Sequence, residues 1–202
     1  MSHLISRADA FHLPLPSESV DTVITDPPWH FNLRVSPNAK AVRATDYPLI
    51  KDEDMGWAFQ EIWRVLEPRG HAYIFIPERK LGGVLDAGIF DGFEWFNTVI
   101  WVKVRKDGTD LRVGLGHTYR AAYEFILCLS KGHRRPILRH DVPNVLFASP
   151  IGGSRKPPEL YRTLARASTG TGGVVLDPFC GSDPLGQAKL GEHQTISFDR
   201  YN

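Results

Sequence analysis

This sequence predicts an α/β fold built on a mostly parallel sheet, and three observations carry the prediction. Apolar runs of strand length recur along the chain, each bounded by Gly, Pro or Asp. Helix-like stretches separate most of these runs, and strands alternating with helices form a parallel sheet covered on its faces. The 202 residues are 42% hydrophobic and 23% charged, enough apolar material for one substantial core.

Taken in order, residues 20–26 read as a buried strand that stops at Pro27-Pro28. Residues 52–67 carry Trp57, Phe59, Ile62, Trp63 and Leu66 at helical spacing, and Glu67-Pro68-Arg69-Gly70 ends that helix. Residues 71–77 form the next strand, followed by a helix over about 80–90. Two β-rich runs, 98–104 and 122–129, are expected to pair antiparallel across a Gly-rich, basic linker. A helix over 158–167 precedes a buried strand at 173–177, and the last strand, 195–198, is closed by Asp199. Residues 33–46 and 105–117 read as surface loops near strand ends, where open α/β sheets place ligands.

The net charge of +1 gives no global basic field, so any binding of nucleic acid has to come from local patches. The two cysteines, Cys128 and Cys180, lie inside apolar segments. They suggest neither a disulfide framework nor a metal site, and a reducing cytoplasm is the simplest setting. The N-terminus lacks a signal-peptide pattern, and no apolar run reaches membrane-spanning length.

Asp26-Pro27-Pro28-Trp29 follows directly on the first buried strand. Two successive prolines lack backbone donors and hold the chain extended, so their carbonyls are expected to project without a local partner. A carboxylate beside a free carbonyl makes an acceptor pair suited to an amino group with two hydrogens. The adjacent indole offers a flat face for a stacked base. Gripping both hydrogens turns the nitrogen lone pair out of conjugation with its ring. The chemistry then rests on positioning rather than on an activated side chain.

With this motif the chain resembles the amino-methyltransferases of DNA and RNA, and in particular their bacterial beta class. In that class the amine-binding motif comes early and the cofactor motif late. Gly173-Val174-Val175-Leu176-Asp177-Pro178-Phe179-Cys180-Gly181-Ser182 stands near the C-terminus, as that order requires. It is similar to the strand-loop-helix that takes the methionine end of S-adenosylmethionine, with glycine for close approach and a helix N-terminus facing the cofactor's carboxylate. Arg155-Lys156-Pro157-Pro158-Glu159-Leu160 resembles the family's Lys-Pro-x-x-Leu segment. Asp199 stands where an acidic residue takes the ribose hydroxyls, and Asp9-Ala10 where the family holds the cofactor's adenine.

The resemblance therefore implies a circularly permuted, Rossmann-like class I methyltransferase fold with an antiparallel hairpin. Asp26, Pro27, Pro28 and Trp29 are the implied catalytic residues. Asp9, Ala10, Lys156, Pro178, Phe179, Gly181, Ser182 and Asp199 are the implied cofactor set, with Asp26 bordering both. Gly114-Leu115-Gly116-His117-Thr118-Tyr119-Arg120, the segment running on to Lys131, and Asp46-Tyr47-Pro48 resemble the adenine methyltransferases of the eukaryotic messenger-RNA type and their phage relatives. Adenine is thereby favoured over cytosine-N4, and DNA, single- or double-stranded, is the expected partner, with RNA the alternative. A base inside a duplex is out of reach, so it has to be flipped out. A non-catalytic, nucleic-acid-binding half of a heterodimer is the reading from a different class.

Two departures stand out. The family's Gly-Ser-Gly-Thr-Thr becomes Gly181-Ser182-Asp183-Pro184-Leu185-Gly186. Asp183 either opposes the cofactor's carboxylate or caps a helix begun at Pro184, and Asp-Pro favours capping. Residues 132–155 are also too few for a separate target-recognition domain. Residues 1–202 are thus expected to be one methyltransferase domain, with recognition from loops, from a second copy in a homodimer, or from a separate subunit. Candidate nucleic-acid contacts are Arg34, Lys40, Arg43, Lys103, Arg105, Lys106, Arg112, Arg134, Arg135 and Arg139.

Overall fold

β2 (Val20–Thr25) buries Val23 toward one side of a sheet and Ile24 toward the other, and the rest of the molecule is arranged around it. The computed structural model describes residues 2–29, 50–86, 88–108, 110–114, 119–152 and 155–200. Its eight strands also include β1 (His3–Arg7), β3 (Leu66–Ile76), β4 (Phe93–Lys103), β5 (Tyr123–Lys131), β6 (Val145–Ala148), β7 (Val174–Asp177) and β8 (Gln194–Asp199). They form one sheet in the order β1-β8-β7-β2-β3-β5-β4-β6. All neighbouring pairs are parallel except those of β5, which runs antiparallel to β3 and to β4.

Side-chain alternation along the central strands supplies two cores. Val23, Ala72, Ile74, Ile76, Leu127 and Leu129 pack under Met55, Phe59, Ile62 and Val65 of α1 (Asp52–Val65) and Val84 of α2 (Glu78–Asp86). Ile24, Tyr73, Phe75, Ile126, Cys128 and Val175 pack on the other face against Leu160, Tyr161, Leu164 and Ala165 of α3 (Pro158–Ser168) and Leu185 of α4 (Pro184–Gln187). Burial on both faces is why residues 72–76 of β3 and 174–176 of β7 read as continuous apolar runs.

The fold is the Rossmann-like class I methyltransferase architecture that the motifs imply, mostly parallel, with the expected antiparallel pairing of β4 and β5. The first strand lies beside the last at one edge, as the permuted order requires. Two strands escaped the sequence reading. β1 is an edge strand with all five residues exposed, and β6 has only four residues. β4 starts at Phe93 rather than at 98. β3 takes in Glu67-Pro68-Arg69-Gly70 as an irregularity, its register against β2 jumping from Val20–Leu66 to Thr22–His71, with Arg69 at φ +67°. Among the described residues no helix is long and apolar enough to cross a membrane.

At β7 and β2 the connections diverge: β7 leads through α4 to β8 on one side, and β2 leads through α1 to β3 on the other. The carboxyl ends of these two adjacent strands form the crevice where doubly wound sheets bind ligands.

Candidate active site

Each chemistry-bearing segment leaves the sheet at this end. Asp26 follows β2, the 178–183 loop follows β7, Asp199 ends β8, and Asp9-Ala10 follows β1. Because β5 is antiparallel, Glu124 near its start also lies here, beside Trp101 of β4. β6 runs parallel to β4 and delivers residues 149–152 and 155–157 to the same end. Lys156 precedes Pro157, extended at φ −64° and ψ 129°, and Pro158, which opens α3 without a donor to lose.

At the centre is an alternating row of charges. Lys156 Nζ lies 2.5 Å from Asp26 Oδ2 and 3.3 Å from Glu124 Oε2, and Lys103 Nζ lies 2.5 Å from Glu124 Oε1. Lys156 is only 8% exposed. Burial works against its charge, but the two carboxylates more than offset this and hold its pKa above the usual lysine value. Burial pushes the Asp26 carboxyl up while Lys156 pulls it back. The Lys156 ammonium also sits 5.6 Å from the Phe75 ring centroid, and Phe75 stacks on Tyr161.

A hydrogen bond ties this row to the adjacent loop. Thr25 Oγ1, beside Asp26, donates to Asp177 Oδ1 at 2.6 Å, and the Phe179 amide donates to the same oxygen at 3.1 Å. Asp177 is wholly buried, with Tyr161 of α3 against its carboxyl group. Burial raises its pKa from 3.8 to about 7 against the pull of the Thr25 and Phe179 donors. Between about pH 4 and pH 7 the folded chain therefore holds a proton that the unfolded chain releases, and stability falls as pH rises. Asp177→Asn keeps an acceptor for both donors and is expected to flatten that slope, measured as the urea midpoint against pH.

The loop itself is open. Gly181 and Ser182 are exposed, Gly181 has φ +48°, and a Cβ placed there would meet nothing within 4 Å. The Gly181 amide donates to Asp199 Oδ2 at 2.9 Å. Pro178 is buried beneath the loop and Phe179 is half-buried. Asp9 accepts from the Phe11 amide, and Ala10 is buried beside it. Asp183 caps α4, accepting from the Gly186 amide at 3.0 Å, so its carboxylate is turned back onto the protein. α4 is a single turn, which leaves little helix dipole to face an anion.

Several expectations need correction. Trp29 offers no open face: it is 3% exposed, its ring stacks on Phe59 at 6.3 Å, and its indole N–H donates to the Phe75 carbonyl at 2.8 Å. Trp29→Ala is accordingly expected to cost about 3–5 kcal/mol of stability through a cavity. Trp29→Phe should cost less, and chemical denaturation of the two variants checks the order. The Pro27 carbonyl has a local partner, the Trp29 amide at 2.8 Å, and the Pro28 carbonyl accepts from Ile50. One lone pair of each carbonyl is thus already used.

Arg134, Arg135 and Arg139 lie at the opposite end of the sheet, beyond Lys131 of the antiparallel β5. Arg135 is held by Glu67 at 2.5 Å and by the Asp21 carbonyl, Arg134 by Glu94, and Arg139 by Asp141. Lys103 serves Glu124 rather than a phosphate. Arg105, Lys106 and Arg112, in the β4–β5 connection, do lie at the site end and are exposed. Arg34, Lys40, Arg43, the 46–48 segment and residues 115–118 fall outside the described residues. Glu124 was missed: within an apolar strand a lone acid carries no spacing signal, and only the fold brings it to Lys156.

The same architecture recurs in solved structures. The chain superposes on the M1.HpyAVI–SAM complex with a TM-score of 0.67 at 20% identity, covering 100% of this chain and 94% of that one. The cytosine-N4-specific PvuII DNA methyltransferase gives a TM-score of 0.72 at 18% identity, covering 98% and 82%. In sequence, the chain is 25% identical to the type II methyltransferase M.HpaI of Haemophilus parainfluenzae over 85% of its length, and it spans 60% of that longer protein. The MT-A70 family model matches residues 20–179, from the first residue of β2 to the loop after β7. Spanning both halves of the crevice, that match places the chain in the MT-A70 family.

Proposed function

We propose that the chain is an S-adenosylmethionine-dependent methyltransferase acting on the exocyclic amine of a base in DNA, with adenine the preferred target. The observation that carries the reading is the pair of adjacent strand ends bound together by Thr25–Asp177, one bearing Asp26 and the other the open glycine loop. The loop fits the cofactor's methionine end, since nothing crowds Gly181 and the Asp199 carboxylate stands beside its amide for the ribose hydroxyls. Lys156, Phe179, Gly181, Ser182 and Asp199 would hold the cofactor, with Asp9, Ala10 and Pro178 bordering it. When bound, it supplies an electrophilic methyl on a sulfonium.

The protein's part is positioning. Lys156 engages Asp26 Oδ2, leaving Oδ1 to accept one amine hydrogen, while the second lone pair of the Pro27 carbonyl accepts the other. The amine nitrogen is then pyramidal, with its lone pair turned out of conjugation with the ring. Held by Lys156, Phe179, Gly181, Ser182 and Asp199, the cofactor would supply the methyl group to that nitrogen and would leave as the neutral thioether. The amine becomes cationic and loses a proton, and Asp26, whose carboxyl is raised by burial, is placed to take it. With Trp29 in the core, the base would lie against other groups at the crevice.

The base has to leave its duplex or be unpaired already. Arg105, Lys106 and Arg112 are the described cations placed to meet the backbone, and Arg34, Lys40 and Arg43 extend the proposal. Residues 1–202 act as one domain, to which loops, a second copy or a separate subunit would supply target recognition. A cytoplasmic setting suits the two buried free thiols, Cys128 and Cys180. Arg105→Glu/Lys106→Glu is expected to weaken DNA binding with a shallower salt dependence, while cofactor affinity is retained. Fluorescence anisotropy across a salt series tests this, and an unchanged salt slope would remove the loop from the interface.

A further inference from the structure

Asp183 adopts φ +54° and ψ +59°, a left-handed conformation that a non-glycine residue holds only with local hydrogen bonds to support it. It stands at the end of the open loop, its amide bonded to the Cys180 carbonyl at 2.7 Å. Three side-chain bonds accompany the strained backbone. Asp183 Oδ1 accepts from the Gly186 amide at 3.0 Å and from Ser197 Oγ at 2.7 Å, and Oδ2 pairs with His3 Nε2 at 2.9 Å. The other ring nitrogen, His3 Nδ1, is 2.9 Å from Thr195 Oγ1 of β8. Gly186 is fitted to the pair: a Cβ there would overlap the Asp183 carboxylate and the His3 ring.

We propose that His3 is a positioning residue for the cofactor loop, acting through Asp183. The edge strand β1 thereby fixes residues 180–183 in the conformation that receives S-adenosylmethionine. The inference rests on the proposed cofactor site. Nε2–H of His3 donates to Oδ2 while Ser197 and Gly186 occupy Oδ1, so the carboxylate is anchored toward β8 and β1. Its negative charge is thus kept from turning toward an incoming carboxylate. Without His3 one carboxylate oxygen loses its donor, the left-handed residue can relax, and a smaller fraction of molecules presents a competent loop.

The test is titration calorimetry of S-adenosylmethionine against the full chain, with steady-state kinetics alongside. His3→Ala is expected to bind about tenfold more weakly, the loss of one hydrogen bond to a charged group. His3→Gln, which keeps a donor, should recover most of that affinity. KM for the cofactor should rise while kcat holds, which a general loss of folded protein would not produce. In an Asp183→Asn background, His3→Ala should add little, because the pair acts as one unit. Wild-type affinity in His3→Ala, or fully additive effects of the two changes, would overturn the proposal. If His3→Ala does not fold, Asp183→Asn decides by the same measurements: unchanged affinity overturns it. No binding by the wild-type chain instead removes the cofactor reading, and this inference with it.

Discussion

Asp26→Ala is expected to lower the methyl-transfer rate about a thousandfold or more, yet leave S-adenosylmethionine affinity within a few-fold. Asp26 is assigned to the amine, so its loss removes an interaction made with the reacting nitrogen. Lys156 does not lose its setting, because Glu124 remains 3.3 Å from its ammonium as a counter-charge. Single-turnover rates at saturating cofactor, set beside calorimetric affinity, separate the two effects. Parallel loss of rate and cofactor binding would move Asp26 from the amine to the cofactor.

Lys156→Ala is expected to cost about 3 kcal/mol or more of stability, because it takes the shared cation away from two half-buried carboxylates. Asp26 and Glu124 share this ammonium, and Lys103 pairs directly with Glu124 as a second cation. Without the ammonium, burial and mutual repulsion raise both carboxyl pKa values above their unfolded values. The resulting penalty grows as pH rises through the folded values, so the deficit should be smaller at pH 5 than at pH 8. Lys156→Ala/Glu124→Gln should restore part of it. Urea denaturation at both pH values checks this, and a small, pH-independent deficit would show that the row of charges is well solvated.

The central strands and the two motifs were legible because their physical signals are local. A strand buried on both faces carries apolar residues at consecutive positions, as Val23-Ile24 of β2 and Val174-Val175-Leu176 of β7 do, and Pro27-Pro28 marks the end of β2. β1 and β6 carry no such signal, since edge strands pair on one side only: β1 is exposed along its whole length, and β6 has only four residues. Trp29 misled because an indole beside a site motif has the same sequence signature whether it faces a ligand or the core. Its burial depends on Phe59 and on the Phe75 carbonyl, residues of α1 and β3 that only the fold brings near. Arg135 misled in a similar way: a run of two arginines reads as surface charge until Glu67 and Asp21 are brought against one of them. The capping role of Asp183 was legible, because Asp-Pro at a helix entry is a local pattern. Its contact with His3, 180 positions away, was not.

The most direct test of the central claim is mass spectrometry of nucleosides from DNA incubated with the chain and isotopically labelled S-adenosylmethionine. Single- and double-stranded substrates run in parallel, with RNA as the comparison. The expected result is labelled N6-methyladenine in DNA, absent when Asp26→Ala replaces the wild type. Labelled N4-methylcytosine alone would contradict the adenine assignment while preserving transfer to an amine. Absence of any labelled nucleoside, from a chain that binds the cofactor, would contradict methyl transfer to a base altogether.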